Sequence, residues 1–339
     1  MLNYEEFKNE VKEKIVEYIP EEFRNMEVIF EPVPKLNGSV RDAIIIRDKD
    51  HKDKIYPTIY LDGAFADYQM QGDLEIVLQR LAENYSSIMK DRKVEDFHFT
   101  REYLEKNVVM QIIGTEANKE LLEEVPHREI LDCSIIYRVI FFMDDSGLES
   151  MKVTNSFAGY VNIDEEELFR LASENTKRLF PVVTCSLTEH MEEVGLLKIP
   201  QEMMQEMPKE MKDALENLRK LYYISNKIGI NGAANLAFPE IFQEMADKFE
   251  TDLYILPASI HELLCFPAGS MGQRPKELKE TVEQVNRSCV RPEERLTDNV
   301  YLYDRKKGEL SIIEVPETDA EKSKRGEEIE NEKEKNIVA

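Results

Sequence analysis

The alternation of apolar and polar positions divides the chain into short amphipathic pieces. Asn3 and Glu6 have capping-box spacing, and Phe7, Val11, Ile15 and Tyr18 then recur on one face, so residues 3–19 predict a helix that Pro20 ends. Apolar runs at 28–30 and 43–46 flank Asn37-Gly38, a dipeptide that favours a tight hairpin. A third run, 56–61, contains Pro57, which cannot donate to a central ladder and marks an edge strand or a strand start. Leu74, Val77, Leu78, Leu81, Tyr85 and Ile88 then follow helical spacing. Residues 1–92 therefore read as helix, three antiparallel strands, helix.

Beyond Pro126 the pattern changes to long β-branched runs. Residues 130–143 and 151–154 flank Asp144-Asp145-Ser146-Gly147 and predict a second hairpin. Residues 93–125 read as broken helix, with a strand possible at 108–113. Asp164 with Glu167 opens another helix, which Pro181 closes. A short strand follows at 181–187. The C-terminal part reads as strand at 221–225, turn at Asn231-Gly232, helix at 239–249, and strands at 253–256 and 263–266. A helix with Leu278, Val282, Val285 and Cys289 on one face comes next, then strands around 300–303 and 310–313. Strands arriving in pairs, with helices between the pairs, predict an α+β fold: antiparallel hairpins and a mixed sheet packed with helices. The expected division is 1–125, 126–208 and 209–316, followed by a disordered charged tail at 317–339 that has eight acidic and five basic residues.

Composition narrows the function. The chain has 339 residues, 42% hydrophobic and 33% charged, against about a quarter charged in ordinary domains. No apolar run approaches the roughly 18–20 residues of a membrane span, and the acidic start MLNYEEFKNE does not resemble a signal peptide. A soluble cytoplasmic protein is expected. The net charge of −24 opposes binding to nucleic acid and to anionic membranes, and leaves a basic protein as a possible partner. Five of the 14 methionines, Met191, Met203, Met204, Met207 and Met211, lie in one segment, as on adaptable binding surfaces or in ordinary core packing. The cysteines at 133, 185, 265 and 289 have no C-x-x-C spacing and sit in or beside apolar segments, so buried reduced thiols are expected.

Candidate chemistry centres on Ser259, His261 and Glu262. A histidine and a carboxylate suit general base catalysis or metal ligation. The spacing opposes both, because neighbours on a strand face opposite ways and H-E-x-x-H fails at Cys265. The alternative is a turn closed by Ser259 and Glu262, with His261 hydrogen-bonded at a strand end. On an extended strand Cys265 lies roughly 13 Å from His261, too far for a nucleophile–base pair. Residues 229–234, Gly-Ile-Asn-Gly-Ala-Ala, lie between strand and helix but match neither G-x-G-x-x-G nor the P-loop, so a plain turn is expected. No cofactor or metal site is expected.

Several phrases occur together in a familiar order: 56–61, the segments at Asn155 and Asn175, Ser225-Asn226 through Asn231-Gly232-Ala233, residues 256–262, Val285-Asn286, and 298–304. Over residues 1–315 the chain resembles the uncharacterised bacterial family called domain of unknown function 5688. It departs at Ala258, where the family has serine, and at Tyr222-Tyr223-Ile224, where the family has a Val-Leu-Thr type run. The resemblance implies a cytosolic bacterial protein and draws attention to His261, but implies no catalytic residue and no substrate. The expected function is non-catalytic binding or regulation. The alternative is a hydrolase or metal-dependent enzyme centred on His261 and Glu262.

Overall fold

The structure, a computed structural model, describes residues 1–50, 56–91, 100–144, 147–198, 207–270, 272 and 274–315. The expectations for Met203, Met204 and the tail at 317–339 lie outside them. The N-terminal unit opens with α1 (Tyr4–Tyr18), whose Asn3 and Glu6 form the expected reciprocal cap. The strands β1 (Glu27–Pro34) and β2 (Val40–Arg47) form the hairpin around Asn37-Gly38, and β3 (Thr58–Tyr60) pairs with β2 at the sheet edge, as Pro57 requires. Helix α2 (Leu61–Gln71) is not foreseen in the sequence. It buries only Leu61 and Tyr68, too few positions to show a period, and Gly72 ends it at φ 73°. Helix α3 (Leu74–Asp91) completes the unit. Phe7, Val11, Ile15, Ile44, Ile46, Leu78 and Tyr85 form its core.

The rest is a larger body. It runs α4 (Arg101–Asn107), β4 (Val108–Gly114), α5 (Lys119–Glu124), β5 (His127–Ile130), β6 (Cys133–Asp144), β7 (Gly147–Lys152), α6 (Asn155–Tyr160), α7 (Glu165–Leu179), β8 (Val182–Ser186) and α8 (Leu187–Glu193). Then come α9 (Lys209–Lys220), β9 (Tyr222–Asn226), a 3-10 turn (Gly232–Ala237), α10 (Pro239–Phe249), β10 (Leu253–Pro257), β11 (Leu263–Pro267), α11 (Pro275–Ser288), β12 (Tyr301–Asp304) and β13 (Glu309–Ile312). The fold is α+β. The described ladders are antiparallel throughout, without the parallel pairing that a mixed sheet contains.

The long run expected at 130–143 is β6, which pairs with β7 as the second hairpin expected, and a further short strand, β5, precedes it. Leu131, at φ 56°, turns the chain between β5 and β6, a backbone state that a branched residue rarely adopts and no residue type there announces. Along β6 the faces alternate. Cys133, Ile135, Tyr137 and Val139 look inward, where they meet Leu168 and Ala172 of α7, Phe242 of α10, and Ile224, Ile255, Leu263 and Tyr301 of the six-stranded sheet β13-β12-β10-β11-β9-β8. Ser134, Ile136, Arg138 and Ile140 take the outer face. The helix stripe expected through Val285 and Cys289 is shifted: α11 buries Leu278, Val282 and Asn286, whereas Val285 is 41% exposed. Cys289 is likewise exposed and Cys185 half-buried, so only Cys133 and Cys265 are the buried thiols foreseen.

The N-terminal unit touches the body at its hairpin tip. Asn37, at φ 59°, donates its side-chain amide to the carbonyls of Pro292 (2.7 Å) and Arg295 (2.8 Å), and exchanges hydrogen bonds with Asn118 at 2.7 and 2.8 Å. That contact carries Lys35 and Tyr60 towards the outer face of the β4–β6–β7 sheet.

Candidate functional site

The β10–β11 connection, residues 258–262, is tied by its own side chains. Ser259 Oγ donates to Glu262 Oε1 (2.7 Å) and accepts from the His261 backbone N–H (2.9 Å). The Ser259 N–H donates to the Glu262 carbonyl at 3.2 Å. This is the turn that the adjacent polar residues allow. His261 and Glu262 go to different partners. His261 Nδ1 accepts from the Asn231 N–H (3.2 Å), so the neutral ring carries its proton on Nε2, which lies 3.9 Å from Glu294 Oε1. Cys265 is buried in the sheet core, where desolvation raises its thiol pKa far above the ordinary value, leaving an inert thiol.

The 229–234 segment is a turn with positive φ at Gly229 (67°) and Asn231 (56°). Gly232 has a different task. A Cβ there would lie 2.1 Å from Ser225 Oγ and 2.2 Å from the His261 carbonyl, so only glycine lets the 3-10 turn press against β9 and the 258–262 loop. Ser225 Oγ donates to that same carbonyl at 2.7 Å, and Asn235 donates to the carbonyls of Ser225 (3.0 Å) and Gly232 (2.8 Å). The close packing fixes Asn231, whose side-chain oxygen accepts from Gln111 Nε2 at 2.9 Å.

From Gln111 the network crosses the outer face of the β4–β6–β7 sheet. Gln111 Oε1 accepts from Arg138 Nη1 at 3.4 Å. Arg138 also donates from Nε to Ser150 Oγ and from Nη2 to the Ser150 carbonyl, both at 2.8 Å. The Arg138 side chain keeps some solvent access yet is deeply surrounded by protein, so it sits in a recess of the surface. That depth lowers its pKa to about 10, and Tyr60 is the nearby group that opposes the shift. Tyr60 accepts from Lys35 Nζ at 2.5 Å, and Lys35 and Arg41 both lie against its ring. Lys152 stands directly across the ladder from Arg138. Charged and polar side chains from three parts of the sequence thus lie within electrostatic range of one another.

Two other polar clusters are fully engaged. Asp132 accepts from Tyr301 (2.5 Å), Asn299 (2.9 Å) and Thr297, clamping the β5–β6 turn to β12 and its approach. Glu165 takes Arg128 in two-point contact and also the Tyr137 hydroxyl, beside a surface cleft of about 610 Å³ that includes His127 and Asn155.

Of the sequence candidates, Ser259, His261 and Glu262 do come together, but as a loop clasp whose His261 end joins the polar network. Gln111, Arg138, Ser150 and Lys152 were missed. The available signal was a lone charge in the run CSIIYRV and a lone amide in VVMQIIG, each interrupting an apolar strand. The profile of a family of unknown function, DUF5688, matches residues 4–305. The chain belongs to that family. No curated protein and no solved structure matches it. Among the described residues, no helix is long and apolar enough to cross a membrane.

Proposed function

We propose that this member of the DUF5688 family is a non-catalytic binding protein of the cytoplasm, and that the recess over Arg138 is its binding site. The observation that carries this reading is the hydrogen-bond chain His261–Asn231–Gln111–Arg138, which links the 258–262 loop to the partly exposed Arg138 side chain. Such a chain orders side chains before a ligand arrives, which lowers the entropic cost of binding. The competing reading, a hydrolase or metal-dependent enzyme centred on His261 and Glu262, needs both groups to face one reacting centre. Here Glu262 faces Ser259, and His261 faces Asn231 and Glu294. The charge of −24 favours a protein or small-molecule partner over nucleic acid.

The test is native mass spectrometry of the full chain after incubation with a small-molecule extract of its host cells. A retained compound, recovered unchanged and lost from Q111L, is the expected result. Steady conversion of a compound, abolished by H261A, would replace the binding reading with the enzymatic one.

A further inference from the structure

We propose that the recess receives the oxyanion group of a small molecule, a phosphate or a carboxylate, between the Arg138 guanidinium and the ammonium groups of Lys152 and Lys35. This rests on the binding reading above and names its ligand class. Arg138 and Lys152 are Cα partners in the β6–β7 ladder, so their side chains leave the same face of the sheet. Like charges in directly opposed positions destabilise a sheet. Burial and then Arg138 push the Lys152 pKa below its ordinary value, and Lys35 adds a third cation within electrostatic range.

Among the described residues, none of the three cations forms an ion pair with a carboxylate. Arg138 binds the neutral acceptors of Ser150 and Gln111, and Lys35 donates to Tyr60. The attraction of Glu124 for Lys152 is smaller than the repulsion from Arg138. A chain with 68 acidic and 44 basic residues has carboxylates in excess, yet none is paired here. Elsewhere in the body arginines are matched conventionally, Arg128 to Glu165 and Arg101 to Glu167. The gathering of cations at a recess, at a cost in stability, is the signature of a site completed by negative charge from outside. Three bonds use three of the five guanidinium N–H groups. One donor on each terminal nitrogen remains, which suits two-point contact with a carboxylate or phosphate.

The experiment titrates the full chain with inorganic phosphate and with succinate, using chloride at matched ionic strength as the control. Calorimetry reads binding and thermal denaturation reads Tm. Saturable binding of at least one oxyanion and a rise in Tm are expected, with no such effect of chloride. K152M should weaken binding at least tenfold while the unliganded variant melts at or above the wild-type temperature, because one of two opposed cations is gone. K119M, on an exposed ion pair with Glu116, should bind as the wild type does. R138M also removes the Ser150 and Gln111 bonds, so K152M bears the test. Absence of saturable binding by both oxyanions, or equal binding by K152M, would overturn the proposal. Retention of only neutral or cationic compounds from the extract would also overturn it while leaving the binding reading in place. Conversion of an oxyanion-bearing compound would overturn the binding reading while leaving the contact at Lys152.

Discussion

The N-terminal unit and the larger body solve the problem of burial differently. Among the described residues, the N-terminal unit buries, besides the hydroxyl-bearing rings of Tyr68 and Tyr85, one polar side chain, Ser86, bonded to the Ala82 carbonyl one helical turn back. The body buries Gln111, Asn175, Ser225, Asn226, Asn231, Asn235 and Asn286 as well as a large apolar core. An apolar core is specified by volume and tolerates exchange among similar shapes. A buried amide is specified by partners and costs free energy when one is lost. The body therefore holds side chains at defined positions in a way the N-terminal unit does not. The recess lies where the outer face of its sheet meets Lys35 and Tyr60 of that unit.

Substitutions sharpen the contrast. In the N-terminal unit, Phe7→Ala should destabilise by about 4 kcal/mol, through lost burial and the cavity left beneath α1. Urea denaturation checks it; a loss under 1 kcal/mol would mean that the core is looser than its burial suggests. In the body, Gly232→Ala should cost about 3 kcal/mol, because backbone and the Ser225 side chain must retreat. Gly229→Ala, three positions earlier with open space around it, should cost only about 1 kcal/mol, from its positive φ. Equal effects at the two glycines would refute the close approach. Gln111→Leu should cost about 2 kcal/mol, since Asn231 loses a buried donor and Arg138 an acceptor. Tyr85→Phe, its counterpart in the apolar unit, removes a hydroxyl that donates towards the Ile46 carbonyl and Met26 Sδ and should cost about 1 kcal/mol.

The remaining effects are those of pH. Burial pushes the Cys133 thiol from 9.0 up to about 12, and the Tyr85 hydroxyl from 10.0 up to about 12. Both stay neutral in the fold where the unfolded chain ionises. Their stabilisation is whole below pH 9 and is lost as pH rises towards 12. Cys133→Ala should flatten that alkaline slope. Iodoacetamide at mildly alkaline pH should label exposed Cys289 first and leave Cys133 and Cys265 untouched until unfolding, which peptide mapping would show.

Local chemistry made much of this fold legible. The Asn3–Glu6 cap, the Asn37-Gly38 hairpin, the edge position after Pro57 and the helix at 239–249 follow from interactions within a few residues. The turn at Leu131, and with it the extra strand β5, was hidden because the structure around Leu131, not its residue type, holds it at φ 56°. Helix α2 was hidden because its buried face is short. The clasp of Ser259 with Glu262 was readable from spacing. The recess was not, because it depends on pairings between residues 111 and 231, 138 and 152, and 35 and 60, which sequence separation conceals.

The most direct measurement is a crystal structure of the protein grown with inorganic phosphate. The expected result is tetrahedral density within hydrogen-bond distance of Arg138 Nη1 or Nη2 and of Lys152 Nζ. A structure in which Arg138 is ion-paired with a carboxylate of its own chain, with no phosphate in the recess, would contradict an oxyanion site there.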